Sequence, residues 1–195
     1  MKLRLLFVAF LFLPSLSVCA QTDSTKNNTL SFSLNFMTHG EIVKGGLPVN
    51  EDVGVEDRSN FLLGRTRITA DYSRPYLEAR VVFQNLAVWG TKGNMALNLY
   101  EGWAKVTARN GLFAQVGRVA LSYDDERIIG TNDFATASLS HDVVRVGYEG
   151  HGHKVHAILA YNQNAENMYS STYYKDGAQL YKTMQTVWYH YDVTS

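Results

Sequence analysis

The sequence predicts an all-β chain that forms an antiparallel transmembrane β-barrel with about eight strands present. Three observations predict it: apolar and polar residues alternate in segments of about ten residues, the links between these segments are alternately short and long, and aromatic residues lie near the segment ends. A tilted strand needs about ten residues to cross a membrane. Its side chains then point alternately to lipid and to the barrel interior, so each strand has two faces.

The first 20 residues have the order of parts found in a secretory signal peptide. A short basic start is followed by an apolar run from Leu5 to Leu13 and by small residues just before Gln21. The run is too short to cross a bilayer as a helix, which needs about 20 residues. The predicted organisation is a signal peptide at 1–20, a short periplasmic segment at 21–29 and an outer-membrane β-barrel, expected to be incomplete, at 30–195.

The composition of the exported chain argues against several classes of partner. Removing Lys2 and Arg4 from the 18 basic residues leaves 16 against 18 acidic residues, a net charge near −2. A chain without excess positive charge is not expected to bind nucleic acid. Cys19 is the only cysteine, so cleavage after Ala20 would leave neither a disulfide nor thiol chemistry.

Period-two alternation defines the predicted strands. In the first of them, Phe32 and Leu34 alternate with Ser31, Ser33 and Asn35, as expected for a strand with one apolar and one polar face. The prolines fall outside strand interiors, where the missing N–H would break the hydrogen-bond ladder. The predicted strands are 30–36, 64–72, 77–84, 97–107, 112–122, 142–149, 154–163 and 184–192.

Four arginines, Arg65, Arg67, Arg80 and Arg145, occupy polar positions within this alternation. An arginine facing lipid at mid-membrane would cost about 2–4 kcal/mol, so we expect these side chains to line the lumen. There, a ladder of positive charge would attract anions and contact the solute. The alternative is that acidic neighbours such as Asp71 neutralise them in structural ion pairs.

The links between strands differ in length in a regular way. The turns SRPY, ARNG and GHGH join the second to third, fourth to fifth and sixth to seventh strands, and they are rich in Gly, Pro or Asn. In outer-membrane barrels short turns face the periplasm and long loops face outside. The predicted long links are 37–60, 89–96, 123–141 and 164–183.

Aromatic residues at the strand ends predict two interfacial girdles, one at Tyr72, Tyr76 and Tyr148 and the other at Trp89, Tyr123 and Tyr161.

The stretch GRVALSYDDERIIGTNDF, residues 117–134, followed by SHDVVRVGY, resembles the corresponding motif of the alginate-export porin family. The likeness extends over about residues 60–165, and its most specific positions run from Gly117 to Gly130. It departs at Val119, where a polar Gln is expected. The resemblance implies a monomeric barrel of about 18 strands in the outer membrane of a Gram-negative bacterium, with a basic lumen for an anionic polysaccharide. We therefore expect the chain to be part of a larger barrel that passes or exports anionic or saccharide solutes. Its last residues lack the terminal aromatic expected at the end of a complete barrel, which agrees with this expectation.

The charged cluster Asp124, Asp125, Glu126 and Arg127 does not have the spacing of a known catalytic or calcium site. Its later positions lack the ligand spacing of an EF-hand, and adjacent carboxylates on an extended chain point to opposite faces, unlike a glycosidase pair. We predict instead a loop clamp, in which these residues pair with Arg118, with one another or with an arginine of a neighbouring strand. Such charge-assisted contacts would fold the loop inward and narrow the lumen.

Neither a cofactor, a metal nor a catalytic residue is predicted. His151, His153 and His156 lie close in sequence, but two of them fall in a turn, whereas a structural zinc site closes with four ligands. Two other functions stay open: a complete eight-stranded barrel acting as an anchor, adhesin or lipid-active enzyme, and a soluble β-barrel binding protein. The soluble alternative predicts that the apolar faces of all strands point into one core.

Overall fold

The structure is a computed structural model that describes residues 18–21, 28–44, 58–90, 95–135, 138–162 and 181–193. These residues form one antiparallel sheet in which each strand pairs with the next in chain order. The described part contains no helix, and so none that could span a bilayer. The strands are β1 (Val18–Gln21), β2 (Thr29–Lys44), β3 (Arg58–Arg74), β4 (Leu77–Val88), β5 (Met95–Thr107), β6 (Leu112–Val119), β7 (His141–Gly150), β8 (His153–Tyr161) and β9 (Thr183–Tyr191).

The prediction of an all-β antiparallel chain is confirmed, and all eight predicted strands are present as β2 to β9. The sheet is open, because no pairing joins its described edges, β1 and β9. Strand β1 was not predicted. It pairs with residues 31–34 of β2, and a chain cleaved after Ala20 would retain only Gln21 of it.

Several predicted strand boundaries were wrong; β3 begins six residues before its predicted start at 64, and β4 ends four residues after its predicted end at 84. Residues 37–44 were assigned to a long link, but they continue β2, and their pairing with β3 extends to Lys44 opposite Arg58. Strands pair through backbone hydrogen bonds, which do not require alternating side chains. A hairpin can therefore extend beyond the residues that show the alternating pattern. At the other extreme, β6 ends at Val119, three residues before the predicted end. Most of the link predicted at 164–183 lies outside the described residues.

The two faces of the sheet have opposite polarity, and the apolar face is the exposed one. Phe32, Ile68, Val81 and Val146 are 44%, 56%, 39% and 43% exposed. We call their side of the sheet the apolar face. The opposite side, the polar face, carries the buried polar residues Arg65, Arg67, Gln84, Glu101, Gln115, His141 and His156.

A β-bulge in β5 adds a side chain to the polar face. The register between β4 and β5 shifts between Val82 and Phe83, which pair with Glu101 and Leu99. Tyr100 is the extra residue, and both Tyr100 and Glu101 are buried. A bulge places two residues opposite one and so interrupts strict alternation. Two adjacent side chains therefore reach the polar face.

The link from residue 120 to residue 140, which we call the inner loop, covers the polar face. Its Leu121 and Tyr123 form an apolar cluster with Val119 of β6, Val143 of β7 and Ile158 of β8. Leu121 is 1% exposed and Ile158 0%. The main apolar core described thus lies between the sheet and its own loop.

The inner loop reaches across the polar face from β9 to β3. Asp124 accepts a hydrogen bond from Trp188 of β9, whereas Asp133 binds Arg67 of β3. Between these two contacts the backbone N–H of Tyr123 bonds to the carbonyl of Ile129 and closes a turn.

The aromatic residues near the strand ends do not all take the positions expected of a girdle. Tyr76, Trp89 and Tyr161 are 52%, 55% and 54% exposed. Tyr123 is only 8% exposed and packs against the polar face. Its assignment to a girdle was wrong, because β6 ends before it and the chain turns inward. Tyr189 and Tyr191 of β9, which were not predicted, are exposed beside the turn that joins β7 to β8.

Candidate functional site

The candidate site is the part of the polar face where the inner loop meets the arginines of β3. Arg65 and Arg67 are alternate residues of one strand, so their side chains reach the same face. They are 3% and 9% exposed. Burial of two guanidinium groups side by side requires compensating partners. The inner loop and strand β4 provide them.

Asp133 and Ser138 of the inner loop bind both arginines. The Asp133 carboxylate accepts a 2.6 Å hydrogen bond from Arg67 and lies 3.2 Å from the Arg65 guanidinium. The Ser138 hydroxyl accepts from Arg65 at 2.8 Å and from Arg67 at 2.7 Å. Arg65 also donates to the backbone carbonyls of Asp133 and Ala135. These contacts join the loop to β3, and we call them the β3 anchor.

The orientation of Arg67 is fixed from two further sides. Its Nε donates a 2.7 Å hydrogen bond to Gln84 of β4, and its guanidinium carbon lies 3.8 Å from the centre of the Tyr100 ring. A guanidinium above an aromatic face gains a cation–π attraction. The bulge that turns Tyr100 inward therefore helps to position Arg67 for the loop carboxylate.

The pKa of Asp133 reflects the competition between burial and its cationic partners. Burial alone would raise the pKa of this carboxyl. The hydrogen bond and charge of Arg67, with the charge of Arg65 and the Ser138 hydroxyl, outweigh it and hold the pKa below its ordinary value. Asp133 is thus an anion at neutral pH.

Arg80 is paired with acidic side chains of the sheet. It donates a 2.6 Å hydrogen bond to Asp71, its register partner on β3, and lies 3.7 Å from Glu101. For Arg80 the structure therefore shows the alternative stated above, a structural ion pair with acidic neighbours. Its side chain is 40% exposed, so this pair also faces open space above the sheet.

Arg145 lies on the polar face of β7 beneath the inner loop. It donates a 2.9 Å hydrogen bond to the Tyr123 hydroxyl and lies 5.5 Å from the Phe113 ring centre. Among the described residues, its buried Nε has no hydrogen-bond partner, and neither has the buried Oε1 of Gln115, the residue opposite it on β6. The Nε of Arg145 is thus a donor, and the Oε1 of Gln115 an acceptor, on the polar face of two neighbouring strands.

Tyr123 connects the inner loop to a second set of polar groups. Its hydroxyl lies 2.9 Å from Nδ1 of His156, and Nε2 of the same ring lies 2.9 Å from Glu149. Burial raises the pKa of Tyr123, and the hydrogen bond and charge of Arg145 offset part of this rise. The hydroxyl is therefore protonated at neutral pH and can donate a hydrogen bond.

The predicted loop clamp forms with only some of the residues expected. Arg118 lies on the apolar face, alternating with buried Val119, and forms a bidentate pair with Asp142 of β7 at 2.8 Å. It therefore does not reach the loop carboxylates. Asp125 and Arg127 pair with each other at 2.7 Å where both are exposed, so they hold only the loop tip.

The other two carboxylates of the predicted cluster have separate partners. Glu126 accepts hydrogen bonds from Ser122 and Thr131 and closes the loop on itself. Asp124 accepts a 2.9 Å hydrogen bond from Trp188, so it is the member of the cluster that ties the loop to the sheet. The loop folds inward as expected, but through Asp124, Asp133 and Ser138.

Sequence reasoning therefore found the arginines and missed most of their partners. Asp133, Ser138, Gln84 and Tyr100 were not predicted to act together. Gln84 shares the alternation that placed Arg80 on the polar face, and this signal could have identified it. His156 is bound to Tyr123 and Glu149, whereas His151 lies in the turn between β7 and β8. Within the described residues no group of three or more metal-binding side chains gathers.

Comparison with known protein families, with curated proteins and with solved structures finds no match.

Proposed function

We propose that the chain is an outer-membrane porin-like protein through which anionic or saccharide solutes pass passively. The observation that carries the proposal is the inverted polarity of the sheet: large apolar side chains are exposed on one face, while arginine, glutamine and histidine are buried on the other. A protein surrounded by water buries its apolar residues. A barrel in lipid instead presents an apolar outer surface and a polar interior.

The exposed apolar side chains are continuous across the sheet. They recur on every strand from β2 to β9, for example Phe36, Phe83, Val116, Leu159 and Val187, each at least 39% exposed. Contiguous apolar surfaces of this extent mark a contact with a partner or a membrane. The soluble-binder alternative required Phe32, Ile68, Val81 and Val146 to be buried together, and they are exposed.

The inner loop supports a barrel of more than eight strands. An eight-stranded barrel has an interior that side chains alone just fill. Here the polar face accommodates a whole loop, with Leu121 and Tyr123 packed on it and Asp133 bound to β3. Larger outer-membrane barrels hold such loops inside the lumen. We therefore infer that this sheet forms part of a larger closed barrel, as the resemblance to alginate-export porins implies.

The chemistry of the site suggests which solutes would pass. Arg65 and Arg67 bind a carboxylate and a hydroxyl of the loop itself, those of Asp133 and Ser138. Carboxylate and hydroxyl groups are also those of acidic saccharides. Guanidinium groups bind carboxylates in bidentate geometry, and the unpaired buried atoms of Gln115 and Arg145 add an acceptor and a donor.

The proposal is tested by reconstituting the purified protein in planar lipid bilayers and measuring conductance and reversal potential under a salt gradient. We expect anion preference, and we expect it to decrease in the Arg65→Ala and Arg67→Ala variants because positive charge in a pore attracts anions. Arg118→Ala is the matched control, since Arg118 lies on the apolar face and is paired with Asp142. A monomer that stays soluble without detergent would contradict the membrane location. Insertion without conductance would favour the anchor or adhesin alternative.

A further inference from the structure

We propose that the hydrogen-bonded chain Arg145–Tyr123–His156–Glu149 is an acid-sensitive latch, which holds one half of the inner loop on the polar face at neutral pH and releases it when His156 is protonated. The inference concerns the loop and not the solute. It goes beyond the proposed function and can be tested without transport.

The latch joins three elements through three hydrogen bonds of equal length. Arg145 of β7 lies 2.9 Å from the Tyr123 hydroxyl of the loop. That hydroxyl lies 2.9 Å from Nδ1 of His156 on β8, and Nε2 of His156 lies 2.9 Å from Glu149 on β7. Tyr123 is 8% and His156 6% exposed, so water cannot readily replace either partner.

Only the neutral form of His156 satisfies all three contacts. Neutral imidazole has one N–H and one unprotonated nitrogen. With the proton on Nε2 donated to Glu149, Nδ1 accepts from the Tyr123 hydroxyl, whose oxygen in turn accepts from Arg145. Protonation places a hydrogen on Nδ1 as well. The Tyr123 O–H then loses its acceptor, and its oxygen faces two donors, the imidazolium and the guanidinium.

The charges around His156 determine which of its two hydrogen bonds is lost on protonation, and the lost bond is the one to Tyr123 of the loop. Glu149 still accepts from Nε2 in the protonated form, so the link between β7 and β8 persists. The new positive charge adds to that of Arg145, which binds the same tyrosine oxygen. The titratable and charged groups that face His156 are Glu149 and Arg145 from β7, Lys105 from β5, Tyr123 from the loop, and His190 beyond the Trp188 ring from β9.

The β3 anchor, which attaches the other half of the loop, does not titrate in the same pH range. At the β3 anchor, Arg67 and Arg65 hold the pKa of Asp133 below its ordinary value of 3.8 against the effect of burial, which is the largest single influence and acts to raise it. Burial and the neighbouring guanidinium of Arg145 disfavour the charged imidazolium, so His156 takes up its proton only below the pH of about 6.5 at which an unperturbed histidine titrates. Acid should therefore loosen residues 120–129 below about pH 6.5, while residues 130–135 stay anchored as long as Asp133 is ionised.

The test is hydrogen exchange of the full chain, refolded in detergent micelles, measured by mass spectrometry at about pH 8 and pH 5 and corrected for the chemical exchange rate. We expect protection of residues 120–129 to fall about fivefold at the lower pH, the factor expected for loss of one hydrogen bond, while protection of residues 130–135 is unchanged. Equal protection of 120–129 at both values, or a loss spread evenly over all strands, would overturn the proposal.

Two variants assign the effect to the latch. His156→Gln keeps a donor and an acceptor but does not titrate, so its loop should be equally protected at both pH values. Tyr123→Phe keeps the ring packing but lacks the hydroxyl, and its loop should be less protected at both. His190→Gln is the matched control, because His190 lies on the same face but binds Asp192; it should behave as wild type. Retention of the acid-induced loss in either latch variant would contradict the role of His156.

Discussion

Arg67 of β3 donates a 2.6 Å hydrogen bond to Asp133 of the inner loop, across a separation of 66 residues in the sequence. This contact lies where the strand that provides two buried arginines meets the loop that covers them.

Replacing Asp133 by Ala should release the C-terminal half of the inner loop. The change removes the carboxylate that binds Arg67 and Arg65 and leaves two buried guanidinium groups with fewer partners. We expect the free energy of local opening to fall by about 1–3 kcal/mol, seen as faster hydrogen exchange in residues 130–135. Asp125→Ala is the control, since Asp125 pairs only with Arg127 at the exposed loop tip. Equal exchange in the two variants would show that Asp133 does not anchor the loop.

The β3 anchor should resist mild acid and fail in strong acid. Burial acts to raise the pKa of Asp133, but Arg67, Arg65 and Ser138 lower it below 3.8. A carboxyl with a lowered folded-state pKa contributes stability above its unfolded pKa and loses it as the pH falls through the folded value. We therefore expect opening of residues 130–135 only below about pH 4. Hydrogen exchange of residues 130–135 measured over this pH range would report it, and in Asp133→Asn these residues should be open at every pH.

The two faces of the sheet could be predicted from sequence because adjacent side chains of a strand point to opposite faces, so alternating apolar and polar residues separate onto the two sides. Arg67 and Ile68 are neighbours, and the structure buries the first and exposes the second. The bulge was not predictable in this way. Strict alternation from Leu97 and Leu99 places Glu101 on the apolar face. The extra residue, Tyr100, shifts the alternation by one position, so Tyr100 and Glu101 are both buried on the polar face.

The partners of the arginines could not be predicted from sequence, for a different reason. Asp133 lies 66 and 68 residues from Arg67 and Arg65, and no local pattern distinguishes it from the four charged residues at 124–127. Which carboxylate reaches inward depends on the loop path, and that path follows from the packing of Leu121 and Tyr123. The apolar residues of the loop, and not its charge density, decide which acid meets the arginines.

Gly117 should be sensitive to substitution because two constraints coincide there. Its φ is +129°, and a Cβ would overlap the carbonyl oxygen of Gly102 on β5. We expect Gly117→Ala to lower the free energy of unfolding by about 2–4 kcal/mol. Gly90→Ala is the matched control, since Gly90 also has a positive φ, +78°, but its Cβ would meet nothing within 4 Å; a loss of about 1 kcal/mol is expected there. Denaturant unfolding followed by circular dichroism measures both, and equal losses would contradict the backbone clash.

Val146→Arg should distinguish a lipid-facing sheet from one that faces water. Val146 lies in the middle of β7 and is 43% exposed on the apolar face. In lipid, an arginine near mid-membrane costs about 2–4 kcal/mol, whereas an exposed position in water tolerates such a change within about 0.5 kcal/mol. Ile128→Arg is the control, because Ile128 is 96% exposed at the loop tip and should be neutral in either surrounding. Reversible unfolding from lipid vesicles measures both variants. A Val146→Arg protein as stable as its Ile128→Arg control would contradict the assignment of this face to lipid.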